Sequence, residues 1–349
     1  MKLHENKENM ELSISNISER TGVREDVLEK DYYVTLLLKE LSEKNNQNYA
    51  YFKGGTALYK ALKSIRRFSE DIDLTVYVED VSSPSQEQKR LKNAVKDFKS
   101  LEFKEKSVDK RANMEVSYKY DPIFVPDMND TLQRFGNVKI EATSFTVSRP
   151  VEFMEISPHL YELATDEERK VLEEVFEVKP FKIGTISLER IFIDKIFASE
   201  FYFSRGKFLD LAKHIYDINV MCLLDKICNL LSDDEELIKL IEYKREEESR
   251  RQGGVPQYLE IKDFSYLNDI KFYDSEQFKK ALNTIHNIYV FDKKDNIDIE
   301  QIQETLNMLH FVFSDLVTAK KLVKEKRIEY GNVKCNIVQI YILINMAWR

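Results

Sequence analysis

The stretch "DIDLTVYVE" limits the fold more than any other. It alternates strictly: Asp71, Asp73, Thr75 and Tyr77 fall on one side, and Ile72, Leu74, Val76 and Val78 on the other. A period of two is that of a β-strand. Such a strand has one apolar face for a core and one face that opens with two carboxylates. Just upstream, "FKGGTALYKAL" holds two adjacent glycines, out of nine in 349 residues. They form a turn between the short strand "YAYF" and a helix with Leu58, Leu62 and Ile65 on one face and Thr56 as its expected N-cap.

The remaining segments sort by the same periods. "ISNISER" and "VREDVLEKDYYVTLLLKEL" read as helices, the second apolar nearly all round and ended by Asn45 and Asn46. "SPSQEQKRLKNAVKDFKS" is an exposed helix opened by Ser83 and Pro84. Strands are expected at "MEVSYKY", "NVKIEATSF" and "VEFMEI", with a loop from Asp121 to Asp130. "TISLERIFIDKIFASEFYF" and "KFLDLAKHIYDINVM" are helical, and the pattern stays helical from about Leu224 onward. The expected class is therefore α/β (α+β): a mixed central sheet flanked by helices, in a domain spanning 1–222, followed by a helical bundle at 223–349. No internal repeat or low-complexity block interrupts this plan.

Composition narrows the functional classes. The chain is 43% hydrophobic and 33% charged, enough for sizeable cores. A net charge of −8 argues against non-specific coating of nucleic acid. Cys222, Cys228 and Cys335 follow neither C-x-x-C nor a disulfide framework, so reduced, packed thiols are expected. The polar start "MKLHENKENMELS" lacks a signal-peptide core, and the apolar tail "NIVQIYILINMAWR" is short of the ~20 residues that span a bilayer. These features place the chain in the cytoplasm with no membrane partner.

The carboxylates carry the chemistry. Residues i and i+2 of a strand project to one face about 6–7 Å apart. Like charges at that distance call for a compensating cation. A divalent ion supplies it, and Mg²⁺ favours one or two carboxylates together with substrate phosphates. Two solvated aspartates at a strand start are the other reading. The upstream glycines tip the balance, because bare N–H groups at a glycine turn and helix start cradle a triphosphate. A third carboxylate is expected on a neighbouring strand. Glu141 in "NVKIEATSF" provides one, sharing its face with Lys139 and Thr143. Asp71, Asp73 and Glu141 are thus the metal candidates. Lys53, Gly54, Gly55, Thr56, Arg67 and Ser69 are the nucleotide-contact candidates. Surface charge is an equal reading for Arg66 and Arg67.

This combination resembles the DNA polymerase β-like nucleotidyltransferase superfamily. The wording "EKDYYVTLLLKEL", "FKGGTALYKAL", "RRFSEDIDL" and "KHIYDI" is more specifically similar to the AbiEii/AbiGii nucleotidyltransferase toxin family, over roughly residues 25–222. The resemblance implies a nucleotidyltransferase fold. It implies a reaction in which Mg²⁺ (or Mn²⁺) on Asp71 and Asp73 bridges the triphosphate of an NTP and Glu141 helps activate an acceptor hydroxyl. It gives Lys195, in "ERIFIDKIFA", a phosphate contact. It adds Asp217 of "KHIYDI", where Lys213 stands in place of the family's arginine. A lysine amid apolar residues also suits an anion contact, a snorkelling side chain or a partner for Asp194. Family members act as toxins with a cognate antitoxin, and some modify the 3′ end of tRNA to block translation. The basic run "KKLVKEKR" is then a candidate RNA contact or a solvated helix face. Transfer to a small molecule, such as an antibiotic, or to a protein side chain stays open, as does a non-catalytic interaction module.

Overall fold

The alternating segments around Asp73 and Glu141 become neighbouring strands of one mixed sheet. The structure, a computed structural model, describes residues 1–63, 66–124, 135–290 and 292–325, with the side chains of 45–48 and 315–325 outside it. Cys335, the apolar tail, Ile65 and most of the loop expected at 121–130 lie outside the described residues, as do the side chains of "KKLVKEKR". The chain divides into two units, Met1–Ser187 with Ile288–Asp295, and Leu188–Asn287 with the chain from Asn296.

The first unit holds α1 (Lys7–Thr21), α2 (Glu25–Asn48), β1 (Ala50–Lys53), α3 (Gly54–Leu62), β2 (Ile72–Val76), α4 (Pro84–Val95), β3 (Glu102–Lys110), β4 (Asn113–Lys119), β5 (Asn137–Thr143), β6 (Val151–Ile156), α5 (His159–Glu162), α6 (Asp166–Glu174) and β7 (Phe181–Ile186). The sheet order is β3-β4-β5-β2-β1-β7-β6. β2 runs antiparallel to β1 and parallel to β5, so the two acidic strands start at the same end. Phe52, Leu74, Ala142 and Met114 form one apolar row across the sheet, and Ile72, Ile140 and Val116 form the next. All seven are at most 3% exposed. α4 packs against β2, β4 and β5, and α2 against β2, β5 and β7. The opposite face keeps the polar residues of the same alternation.

Helix α2 carries an unexpected burden. Glu29, Lys30 and Asp31, three consecutive charged residues, are all buried. Each is answered by a different segment, as burial of charge requires. Glu29 accepts the N–H groups of Ile123 and Phe124 at 2.8 and 3.2 Å. Lys30 donates to the carbonyl of Asn137, at the start of β5, and lies 3.5 Å from Glu70, just before Asp71. Asp31 meets Lys60 of α3 at 2.6 Å and the N–H of His159 at 2.6 Å. One turn of α2 thus fixes the entries to β2 and β5 and the body of α3.

Burial sets the protonation of this cluster. It pushes the Glu29 carboxyl up to about 7, the two N–H donors notwithstanding. It pushes the His159 imidazole down to about 4, against the pull of Asp31. Burial opposes the charge on Asp31 as well, but the adjacent His159 and Lys60 outweigh it and lower that pKa.

The second unit is helical: α7 (Leu188–Phe203), α8 (Phe208–Met221), α9 (Asp225–Leu231), α10 (Asp234–Arg250), α11 (Ser265–Asn268), α12 (Glu276–Ile288) and α13 (Ile299–Glu325). Helices α7 and α8, left with the first half by the composition shift, pack in this unit. A bundle at the C-terminal side matches the helical periodicity. Cys222 is buried and Cys228 half-buried, both as free thiols.

Several boundaries differ from expectation. α2 continues two residues past Asn46 to Asn48. Thr185 and Ile186 belong to β7, not to the following helix. β3 and β7 carry no strand signal of their own. β3 is a charged edge strand exposed along nearly its whole length, and β7, antiparallel to β6 and parallel to β1, is read straight into α7.

Candidate active site

Four charged side chains form one row across the polar face. Lys53 of β1 is in register with Asp73 of β2, Asp73 with Glu141 of β5, and Glu141 with Glu115 of β4. Residues in register on adjacent strands share a face. The pleat therefore places two of the expected acids, Asp73 and Glu141, side by side, half-buried. Asp71 lies one residue before β2. Continuing the β2/β5 register sets it opposite Lys139, and its Oδ2 is 3.1 Å from the Lys139 ammonium. Burial opposes the Lys139 charge, but Asp71, with Glu115 and Glu141, raises its pKa above the ordinary lysine value.

Behind the acids lies a floor of hydroxyls. Thr75, one step along β2 from Asp73, is 2.9 Å from Ser148 and also hydrogen-bonds Thr146. Thr143, one step beyond Glu141, is 3.1 Å from Thr146 and donates to the Leu74 carbonyl. All four are buried. They satisfy one another and tie the two acidic strands together.

The glycines open α3 directly, without an intervening turn. β1 ends at Lys53, and Gly54 makes the corner in a single residue with φ +82°, the left-handed region that only glycine enters freely. The helix thus begins three residues earlier than expected. Lys53 is the N-cap residue, and no side chain caps it. Thr56 is not the N-cap: its hydroxyl donates to the carbonyl of Asp71 at 2.6 Å and sits 3.0 Å from Ser69. Both glycines also make room. A Cβ on Gly54 would lie 2.2 Å from Oδ2 of Asp73, and one on Gly55 would lie 2.9 Å from Ser69 Oγ and 3.0 Å from Arg67 Nη2. The first turn of α3, with its N–H groups and positive dipole end, therefore touches the acid row on one side. On the other it touches the buried Arg67 guanidinium, itself held by the Phe68 carbonyl. Arg66 points elsewhere, to Asp295 at 3.3 Å.

Lys195 and Asp217 lie in the second unit, on α7 and α8. They pair with each other at 2.8 Å, and Asp217 is fully buried. Asp194, the other expected partner of Lys195, instead meets Arg190 and Lys244.

The sequence reading missed Glu115 and the charged turn of α2. Glu115 was legible, since "MEVSYKY" alternates as cleanly as the strands on either side. The turn Glu29 to Asp31 had its signal too: three charges inside a helix otherwise apolar all round.

A cation fits this donor set. Asp71, Asp73 and Glu141 offer hard carboxylate oxygens, the ligands that Mg²⁺ takes. An ammonium, that of Lys139, already stands against Asp71 as a stand-in charge. Among the described residues no three acids, histidines or cysteines stand close enough together to hold a metal. With Asp71 drawn to Lys139 and Asp73 leaning on Gly54, the triad is aligned along the strands but not gathered.

No helix among the described residues is long and apolar enough to cross a membrane. Among solved structures, JHP933 from Helicobacter pylori is similar at 14% identity, covering 85% of this chain and 97% of that one, with a TM-score of 0.36. The nucleotidyltransferase toxin MenT4 from Mycobacterium tuberculosis is similar at 12% identity, covering 84% and 98%, with a TM-score of 0.37. No curated protein matches the chain. Residues 36–306, most of both units, match the family model of the nucleotidyl transferase AbiEii toxins of type IV toxin–antitoxin systems, and the chain belongs to that family of nucleotidyltransferases.

Proposed function

We propose that this nucleotidyltransferase moves an NMP from an NTP to the 3′ end of tRNA in a Mg²⁺-dependent reaction and so blocks translation. A cognate antitoxin is its expected counterpart. The reading rests above all on one observation: Asp73, in register with Glu141, stands against the first turn of α3, with Asp71 two residues before. The tRNA acceptor follows from the family resemblance.

In this reading the N–H groups of Gly54, Gly55 and Thr56 receive the phosphates, with Lys53 and the buried Arg67 adding positive charge. Ser69 holds Thr56 in place. Asp71, Asp73 and Glu141 would hold Mg²⁺, which supplies charge neutralisation at the triphosphate and favours ionisation of the acceptor hydroxyl. In this reading Glu141 receives the proton of that hydroxyl. The acceptor oxygen attacks the α-phosphorus in line, the bond to the β-phosphate oxygen breaks, and pyrophosphate leaves. Most of the rate gain comes from alignment and charge complementarity. Lys195 and Asp217 are proposed to serve the reaction as a unit, since they form a buried ion pair at 2.8 Å.

The test is incubation with labelled NTPs and total RNA, total protein or small-molecule acceptors. Label is expected in RNA of tRNA size, abolished by blocking the 3′ hydroxyl and by Asp71→Ala or Asp73→Ala. Label confined to protein or to a small molecule overturns the tRNA acceptor.

A further inference from the structure

Two lysines stand among the acids of the polar face, Lys53 and Lys139, and the proposed reaction gives Lys139 no task. Lys139 is two residues before Glu141 on β5 and shares its face. Its ammonium lies 3.1 Å from Asp71, with side-chain exposures of 36% and 43% for the two partners. Glu115 and Glu141 attract it as well. Water reaches this pair, so it is weak and exchangeable. It also occupies one of the three carboxylates proposed to hold a divalent ion.

We propose that Lys139 is the built-in counter-ion of the acid row, which a divalent cation must displace from Asp71 in order to bind. The inference rests on the reading that this row holds such a cation. It makes the site self-neutralised at rest. The like charges of Asp71, Asp73, Glu141 and Glu115 are held on one face without metal, and metal affinity is set by competition rather than by the carboxylates alone. A lysine that only positioned Asp71 for metal would have the opposite effect, because its removal would weaken binding.

The test titrates the full chain with Mn²⁺ alone, without nucleotide, following bound ion by electron paramagnetic resonance. Lys139→Met is expected to bind Mn²⁺ about two- to fivefold more tightly than the wild type, the range set by an exposed ion pair. Lys139→Arg, which keeps the charge, should bind like the wild type. So should Lys119→Met, which removes an exposed lysine paired with Glu102 on the neighbouring strands. Thermal unfolding supplies a second measurement: without metal Lys139→Met melts lower than the wild type, and Mn²⁺ raises its melting temperature by more. Equal or weaker Mn²⁺ binding by Lys139→Met overturns the proposal. If the wild type binds no Mn²⁺ that Asp71→Asn abolishes, the metal reading beneath it fails instead.

Discussion

The carboxylate of Asp73 rests against the bare α-carbon of Gly54, so close that a Cβ there would stand 2.2 Å from Oδ2. The glycine pair and the aspartate pair of the sequence are thus one construction: the corner that starts α3 is also the wall of the acid row. Gly54→Ala is expected to fail twice. It places an L-residue at φ +82°, at a cost of about 1–2 kcal/mol, and it drives Asp73 from its place. Nucleotide transfer should fall about 10²-fold, the scale of a misplacement near 1 Å. At Gly55 the colliding atoms are side-chain ends of Ser69 and Arg67, so Gly55→Ala should cost clearly less. Equal rates for both variants in a labelled-NTP assay would refute this ranking.

Position along the row separates the acids. Asp73→Asn and Glu141→Gln remove two carboxylates that stand in register, and each should lower transfer by about 10²–10³-fold. Glu115 is one strand further out, and its Oε1 accepts the Ser107 hydroxyl at 2.6 Å. Glu115→Gln should therefore lose less than about tenfold. Because each change relieves like-charge repulsion, melting temperatures should hold or rise, so a lost rate cannot be laid to unfolding. A Glu115 variant as dead as the Glu141 variant would move the third acid to β4.

In the second unit, Lys195 and Asp217 form a buried ion pair at 2.8 Å. Removing one partner of a buried pair costs roughly 3–5 kcal/mol. Lys195→Met and Asp217→Asn should each lower stability on that order in denaturant unfolding. The double variant Lys195→Met/Asp217→Leu should recover much of the loss while leaving transfer abolished. Recovery of activity along with stability would reduce the pair to scaffolding.

The alternation of "DIDLTVYVE", "NVKIEATSF" and "MEVSYKY" made three central strands and their polar face legible, because a two-sided sheet writes its burial directly into the residue order. Register is a tertiary property. That Asp73 stands beside Glu141, and Glu141 beside Glu115, depends on which strands pair and at what offset. The edge strand β3 is solvated on both sides and leaves no alternation to find. Thr56 looked like an N-cap because its residue type suits that position. Gly54 overrode it by starting the helix three residues earlier, through a conformation that composition does not reveal. The partners of Glu29, Lys30 and Asp31 come from as far as residue 159, so the sequence displayed the charges but not what answers them.

Glu29 and His159 set opposing pH dependences of stability. Glu29 has a folded-state pKa of about 7, above its ordinary 4.5. The folded state therefore holds a proton that the unfolded chain has released, and this contribution is full below pH 4.5 and lost as pH rises through about 7. His159, pushed down from 6.5 to about 4, does the reverse: its contribution is present above pH 6.5 and lost as pH falls through about 4. Each shift corresponds to roughly 3 kcal/mol, so across their shared window the two slopes nearly cancel. Glu29→Gln should unmask the histidine. Relative to the wild type, its stability should climb by roughly 3 kcal/mol between pH 4.5 and 7. His159→Asn should show the mirror image, losing ground to the wild type as pH rises from 4 to 6.5. Urea unfolding at one-unit pH steps from 4.5 to 7.5 measures both differences. Variant curves that run parallel to the wild type would mean that neither group titrates with folding.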